Sequence, residues 1–187
     1  EPTNLSALIE EALVLLEREM TKYRIAVEVD LPRIRAALVN GNQIQQVLFN
    51  LLTNARQAMP NGGRILIQLR DNPAEQMVVL TVRDTGSGIA ADRLPQIFDP
   101  FFTKRDVGEG MGLGLSICHR ILESHDGRIE VESDPGHFTV FSVMIPQPWQ
   151  GQADSGCEME DEDPEPGPPP RHETRPDAVE LEEVWKK

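Results

Sequence analysis

At 187 residues the chain has room for one domain with a tail, and a unit of about 150 residues buries roughly 68–70% of its unfolded surface without cross-links. A net charge of −13 argues against nucleic-acid binding, which rests on Lys and Arg neutralising phosphates. Cys118 and Cys157 form neither a disulfide framework nor a metal centre and suit a reducing interior, and no apolar run approaches the about 20 residues of a membrane span.

Leu5, Leu8, Ile9, Ala12, Leu13 and Leu16 recur at helical spacing among Glu10, Glu11, Glu17 and Arg18, which predicts an amphipathic helix. Ile25, Val27, Val29 and Leu31 alternate as in a half-buried strand ended by Pro32, and a short strand is expected at 36–39. Asn40-Gly41-Asn42 turns the chain into a second helix over 42–59, apolar at Ile44, Val47, Leu48, Leu51, Leu52, Ala55 and Met59. Strands at 64–70 and 77–83 are expected to pair about Asp71-Asn72-Pro73. A glycine-rich segment, a short helix at 92–97, a lid-like loop, a helix over 113–124 and strands at 128–133 and 139–145 complete the series. The pattern predicts an α+β fold, a two-layer α/β sandwich with helices on one face of a mixed, largely antiparallel sheet. From Gln147 onward the composition changes to seven prolines with 12 acidic and 4 basic residues. Such a segment cannot bury enough apolar surface to order itself. The expected organisation is a domain over 1–146 and an acidic, Pro-rich, disordered tail over 147–187, with a short helix at 178–185.

Three segments carry chemistry. In the helix over 42–59, Gln43, Gln46, Asn50, Asn54 and Gln57 share one stripe, and Arg56 is its one charged residue. A solvated polar face is one reading, but such faces favour Glu and Lys, and asparagines in a helix interior are unfavourable. Neutral amide oxygens can instead ligate Mg2+ while phosphates supply the negative charge. Asp84-Thr85-Gly86-Ser87-Gly88-Ile89 follows a strand; its glycines let a flat ligand approach, and the carboxylate can accept from an exocyclic amine such as adenine's. An Asx-type turn would use the same residues. Last, Phe98-Asp99-Pro100-Phe101-Phe102-Thr103-Lys104-Arg105 precedes Gly108-Glu109-Gly110-Met111-Gly112-Leu113-Gly114-Leu115. Glycines ahead of a helix N-terminus expose N–H groups to an anion, and the stretch 103–110 reads as a lid. A flexible linker is the plainer alternative.

These segments, in this order, resemble the motifs of histidine kinases: the asparagine motif at 46–55, the first glycine motif at 84–89, the phenylalanine motif at 98–103 and the second glycine motif at 110–115. Weaker similarity runs from about residue 3 to 146. The resemblance implies the Bergerat ATP-binding fold, and no P-loop sequence occurs. It implies ATP and Mg2+ as cofactors, with Asn54 as metal ligand, supported by Asn50, and Gln57 on the phosphate side. It makes Asp84 the adenine-reading carboxylate, in a pocket shaped by Gly86, Gly88 and Ile89, with Thr139 in its family place. Thr103, Lys104 and Arg105 would reach from the lid, and Gly110, Gly112, Leu113, Gly114 and Leu115 would cradle the triphosphate. Two departures stand out: Phe138 replaces a glycine of the family's Gly-x-Gly-Thr-x-Phe run, and Asp126 replaces another after His125.

Relatives that hydrolyse ATP or phosphorylate serine carry a glutamate four residues before the metal-binding asparagine. Here that position is Asn50, and an amide cannot act as a base. Histidine is nucleophilic when neutral, so the departure favours a histidine kinase over the alternatives, another Bergerat-fold ATPase or a non-catalytic ATP-sensing module. His119, His125, His137 and His172 lie where the family has no phosphoacceptor. The implied partners are therefore a histidine-bearing dimerisation domain of the parent chain and a response-regulator receiver domain. The expected setting is cytoplasmic, with any membrane anchor upstream of Glu1.

Overall fold

The computed structural model describes residues 2–34, 36–102 and 113–147. The chain divides into units 1–150 and 151–187, and every described residue lies in the first. The expected tail after Gln147, with its helix at 178–185, and the whole of the expected lid at 103–110 fall outside the described residues.

The short strands β1 (Pro2–Thr3) and β3 (Ala37–Leu38) pair antiparallel as a small separate sheet. Between them lie helix α1 (Leu5–Lys22) and strand β2 (Ile25–Asp30). Asn4 caps α1, its side-chain oxygen accepting from the Ala7 N–H at 3.2 Å; Leu5, Leu8, Ile9 and Ala12 of the expected stripe are buried, as is Met20 beyond it, while Leu13 and Leu16 are partly buried. Helix α2 (Gly41–Ala58) opens in the same way, with the Asn40 side chain accepting from the Gln43 N–H at 3.3 Å. Its Ile44, Val47, Leu48, Leu51 and Leu52 form the centre of the core.

The main sheet runs β2, β4 (Gly63–Asn72), β5 (Met77–Asp84), β7 (Phe138–Pro146), β6 (Arg128–Asp134). The β2–β4 pair is parallel and the rest antiparallel, so the sheet is mixed as expected. A parallel pair needs a long crossover, and α2 supplies it. Val78, Leu80 and Val82 alternate inward along β5 and, with Ile65, Ile67, Leu69, Val143 and Ile145, are buried in the same core as the helices. Helix α3 (Gly114–Glu123) packs beside α2 and adds Cys118, Ile121 and Leu122. Burial pushes the Cys118 thiol up to about 11, as befits an unreactive core side chain.

Two local expectations are corrected. The turn expected at 71–73 begins two residues later, because β4 continues to Asn72, which pairs with Met77; Gln76 takes a positive φ of 54° to close it. The helix expected at 92–97 is a single 3-10 turn at Leu94–Gln96, since Pro95 removes a donor from a segment already too short to sustain an α-helix. At the departure noted after His125, Asp126 itself adopts φ 55°, the left-handed conformation a glycine would hold. His125 ties the layer together: its Nε2 accepts from the Asn40 N–H at 3.1 Å and its Nδ1 donates to the Ile121 carbonyl at 2.8 Å, joining the start of α2 to the end of α3.

Candidate active site

At one end of the sheet, register sets four residues in a row: Ile65 opposite Asp84, Asp84 opposite Thr139, and Thr139 opposite Ser133. Directly opposed residues share a face, so this row continues the helix-facing side of the sheet. Asp84 is 3% exposed, and burial pushes its carboxyl up to about 6, against which the Gly86 N–H, donating to its Oδ1 at 2.8 Å, works in the opposite sense.

The glycine segment after Asp84 is clamped from two sides. The Ser87 N–H donates to the Ala58 carbonyl at the end of α2, and a Cβ on Gly86 would stand 2.6 Å from that of Ala58. On the other side the Ser87 carbonyl accepts from the Gly136 N–H at 2.8 Å, and a Cβ on Gly88, at φ 69°, would meet the Asp134 carbonyl oxygen at 2.5 Å. Only glycine fits either place. The segment is thus a fixed wall rather than a free turn.

Helix α2 links this wall to the start of α3. Asn50, Asn54 and Ala58 recur every fourth residue on one face. Ala58 holds the glycine wall, and the Asn50 side-chain NH2 donates to the Gly114 carbonyl at 3.2 Å. Asn54 lies between them, and its buried Nδ2 has no partner, the single such side-chain atom among the described residues. An orphaned buried amide is unfavourable by about 1–3 kcal/mol unless something else satisfies it. The N-cap residue Leu113 gives α3 no side-chain cap, and a helix start of this kind can receive an anion.

Of the expected site residues, Asn50, Asp84, Gly86, Gly88, Ile89, Leu113, Gly114 and Thr139 fall on this wall, row and helix start. Gln57 and Leu115 are half-buried on α2 and α3. Thr103, Lys104, Arg105, Gly110 and Gly112 lie outside the described residues. The Phe138 departure does not break the hairpin: Gly136 turns it at φ 83°, and the Phe138 ring stacks under the Arg83 guanidinium at 4.6 Å. Sequence reasoning missed Ser133, whose hydroxyl contacts Ile89, Phe138 and Thr139. Serine in a strand near a turn carries no distinguishing signal of its own.

Residues 39–148 match the family described as histidine kinase-, DNA gyrase B-, and HSP90-like ATPase, a span covering most of the wall, row and helices above. The chain belongs to that family. Within it the similarity is to sensor histidine kinases. Sporulation kinase C of Bacillus subtilis (strain 168) is 34% identical over 144 residues, covering 76% of this chain and 33% of that protein. The solved catalytic domain of histidine kinase ThkA is 34% identical, covering 79% of this chain and 95% of that one, with a TM-score of 0.69. ThkA in complex with the response regulator protein TrrA matches at 32% identity and TM-score 0.67, over 79% of this chain and 42% of that one. The chain thus spans a third or less of its curated sensor-kinase relatives and nearly all of a solved histidine-kinase catalytic domain. It has the fold of that ATPase domain. Among the described residues, no helix is long and apolar enough to cross a membrane.

Proposed function

We propose that this domain binds Mg-ATP and donates the γ-phosphoryl group to a histidine on a dimerisation domain of the same parent chain, from which a response regulator receives it, in the cytoplasm. The observation that carries the reading is Asn54: a half-buried side chain on α2 whose buried Nδ2 has no hydrogen-bond partner, set between the glycine wall and the start of α3. Its Nδ2 suits a phosphate oxygen and its Oδ1 a hard cation. Among the described residues no group of three His, Cys, Asp or Glu can hold a metal, so amide oxygens and the nucleotide's own phosphates are the ligands to hand. A Mg2+ there would neutralise charge on the transferring group.

Each residue of the chain then has a task. Asp84 accepts from the adenine amine, and the wall at 86–88 fixes the plane of the base. The first turn of α3 faces phosphate oxygens, and Asn50, its NH2 engaged with Gly114, holds that turn in place. An amide at Asn50 leaves no base to activate water, which favours transfer to a histidine over hydrolysis. His125 has both ring nitrogens hydrogen-bonded, and His119 and His137 lie beside Glu123 and Asp134, which fits an acceptor on another domain.

Titration calorimetry with Mg-ADP on the wild type, Asn54→Asp and Asp84→Ala tests the site. Wild-type binding that both variants lose is expected; a wild type that binds no nucleotide overturns the reading. Mixing the chain with the histidine-bearing domain and γ-labelled ATP should label that histidine. Binding without labelling would make the chain a passive nucleotide-sensing module.

A further inference from the structure

Ser133, on the edge strand β6, stands next to Thr139 and one place further from Asp84 in the row across the sheet. Its oxygen has three neighbours: the Ile89 N–H donates to it at 2.8 Å, the Phe138 carbonyl lies 2.8 Å away and the Thr139 hydroxyl 2.9 Å away. A serine hydroxyl has one proton and two lone pairs. The Phe138 carbonyl has no proton to give, so the serine proton goes there. The Ile89 N–H takes one lone pair. Thr139 can then meet Ser133 only by donating its own proton to the second lone pair.

We infer that Ser133 is a positioning residue for purine selection, acting by holding the Thr139 hydroxyl with its proton turned away from Asp84. The inference rests on the proposed nucleotide site and extends it. With that proton engaged, Thr139 offers acceptors alone, beside a carboxylate that also accepts. This end of the pocket therefore matches a purine edge bearing an amine and opposes one bearing a carbonyl at the same place. Sites whose buried polar groups are left mismatched by an analogue reject it strongly, whereas a rotor free to turn adapts to either. The same hydroxyl pins Ile89 at the end of the glycine wall, so selection and wall geometry share one atom.

The test compares affinities for adenosine and inosine diphosphates, which differ at the position in question, with the Mg2+ complexes of each and the full chain. Ser133→Ala should weaken adenosine diphosphate binding and narrow the adenosine-to-inosine preference, each by about tenfold. In a Thr139→Val background the same Ser133 substitution should leave the preference unchanged, because no rotor remains to be held. A serine with a merely structural role would lower the melting temperature and weaken both ligands equally, and that result overturns the inference. If Ser133→Ala does not fold, the near-isosteric pair Ser133→Thr and Ser133→Val decides: the threonine keeps the wild-type preference and the valine loses it, whereas equal preferences refute the role. A wild type that binds neither diphosphate sinks the nucleotide site itself, whereas a binding wild type with unmoved preferences in all variants sinks Ser133 alone.

Discussion

Replacing Asp84 with asparagine should make the nucleotide-free domain more stable and a poorer binder at the same time. The carboxyl is pushed from 3.8 up to about 6 by burial. In the unfolded chain the proton leaves near 3.8, while the folded domain keeps it until about 6. Between those values the unfolded state binds fewer protons, so Asp84 lowers stability as pH rises through the window and keeps it lowered above. At 1.36 kcal/mol per pH unit, that gap corresponds to an upper figure of about 3 kcal/mol. Asparagine has the same shape and can accept the Gly86 N–H, but its own NH2 must find a partner. The net gain at pH 8 is therefore expected to be about 1–2 kcal/mol. Near pH 5.2, still above the isoelectric point of about 4.7, the unfolded carboxyl is already ionised while the folded one is largely protonated, so about 2 kcal/mol of that figure remains and the gain should fall by only about 1 kcal/mol. Urea unfolding followed by circular dichroism at both pH values measures the difference, as a shift in midpoint at constant slope. Calorimetry at pH 8 should show Mg-ADP affinity down by tenfold or more, because a charged acceptor has become a neutral amide. Equal gains at both pH values, or a loss at pH 8, would refute burial as the source of the shift.

Two further outcomes are expected. Asn54→Leu removes the orphaned amide and should leave the nucleotide-free melting temperature unchanged or higher, while Mg2+ no longer strengthens nucleotide binding in titrations with and without the metal. Gly86→Ala forces a Cβ to within 2.6 Å of Ala58 and 2.8 Å of the Asp84 Oδ1, and should destabilise the domain by about 1–3 kcal/mol in urea unfolding. A Gly88→Ala companion at φ 69° should do no less.

The sequence carried the elements better than their arrangement. Period 3.6 in α1 and α2 and period 2 in β2, β4 and β5 were plain because each element buries one face, and the observed bounds lie within a few residues of those expected. What periodicity could not carry was the placement of β7 between β5 and β6, or the parallel pairing of β2 with β4, since both depend on which edges meet after the helices pack. β1 was missed because two residues hold no alternation. At the candidate site, Asp84 and Asn54 stood out in the sequence for the same reason: a carboxylate at a strand end and an amide inside a helix are each unfavourable without a task. Ser133 was not, because serine is cheap in many settings and its three partners come from distant parts of the chain. Asn50 was read as a metal-cluster member; the structure adds a bond from its NH2 to Gly114 that no local pattern announces.

The position of β7 has a consequence for biosynthesis. It is the last strand among the described residues, yet it fills an interior slot of the sheet, with β5 on one side and β6 on the other. A nascent polypeptide emerging from the ribosome therefore exposes two unsatisfied strand edges until residues 138–146 appear, and such edges invite association with other chains. Thr139 arrives on that same strand, so a product truncated ahead of it would keep both edges open and lack a residue of the proposed nucleotide site.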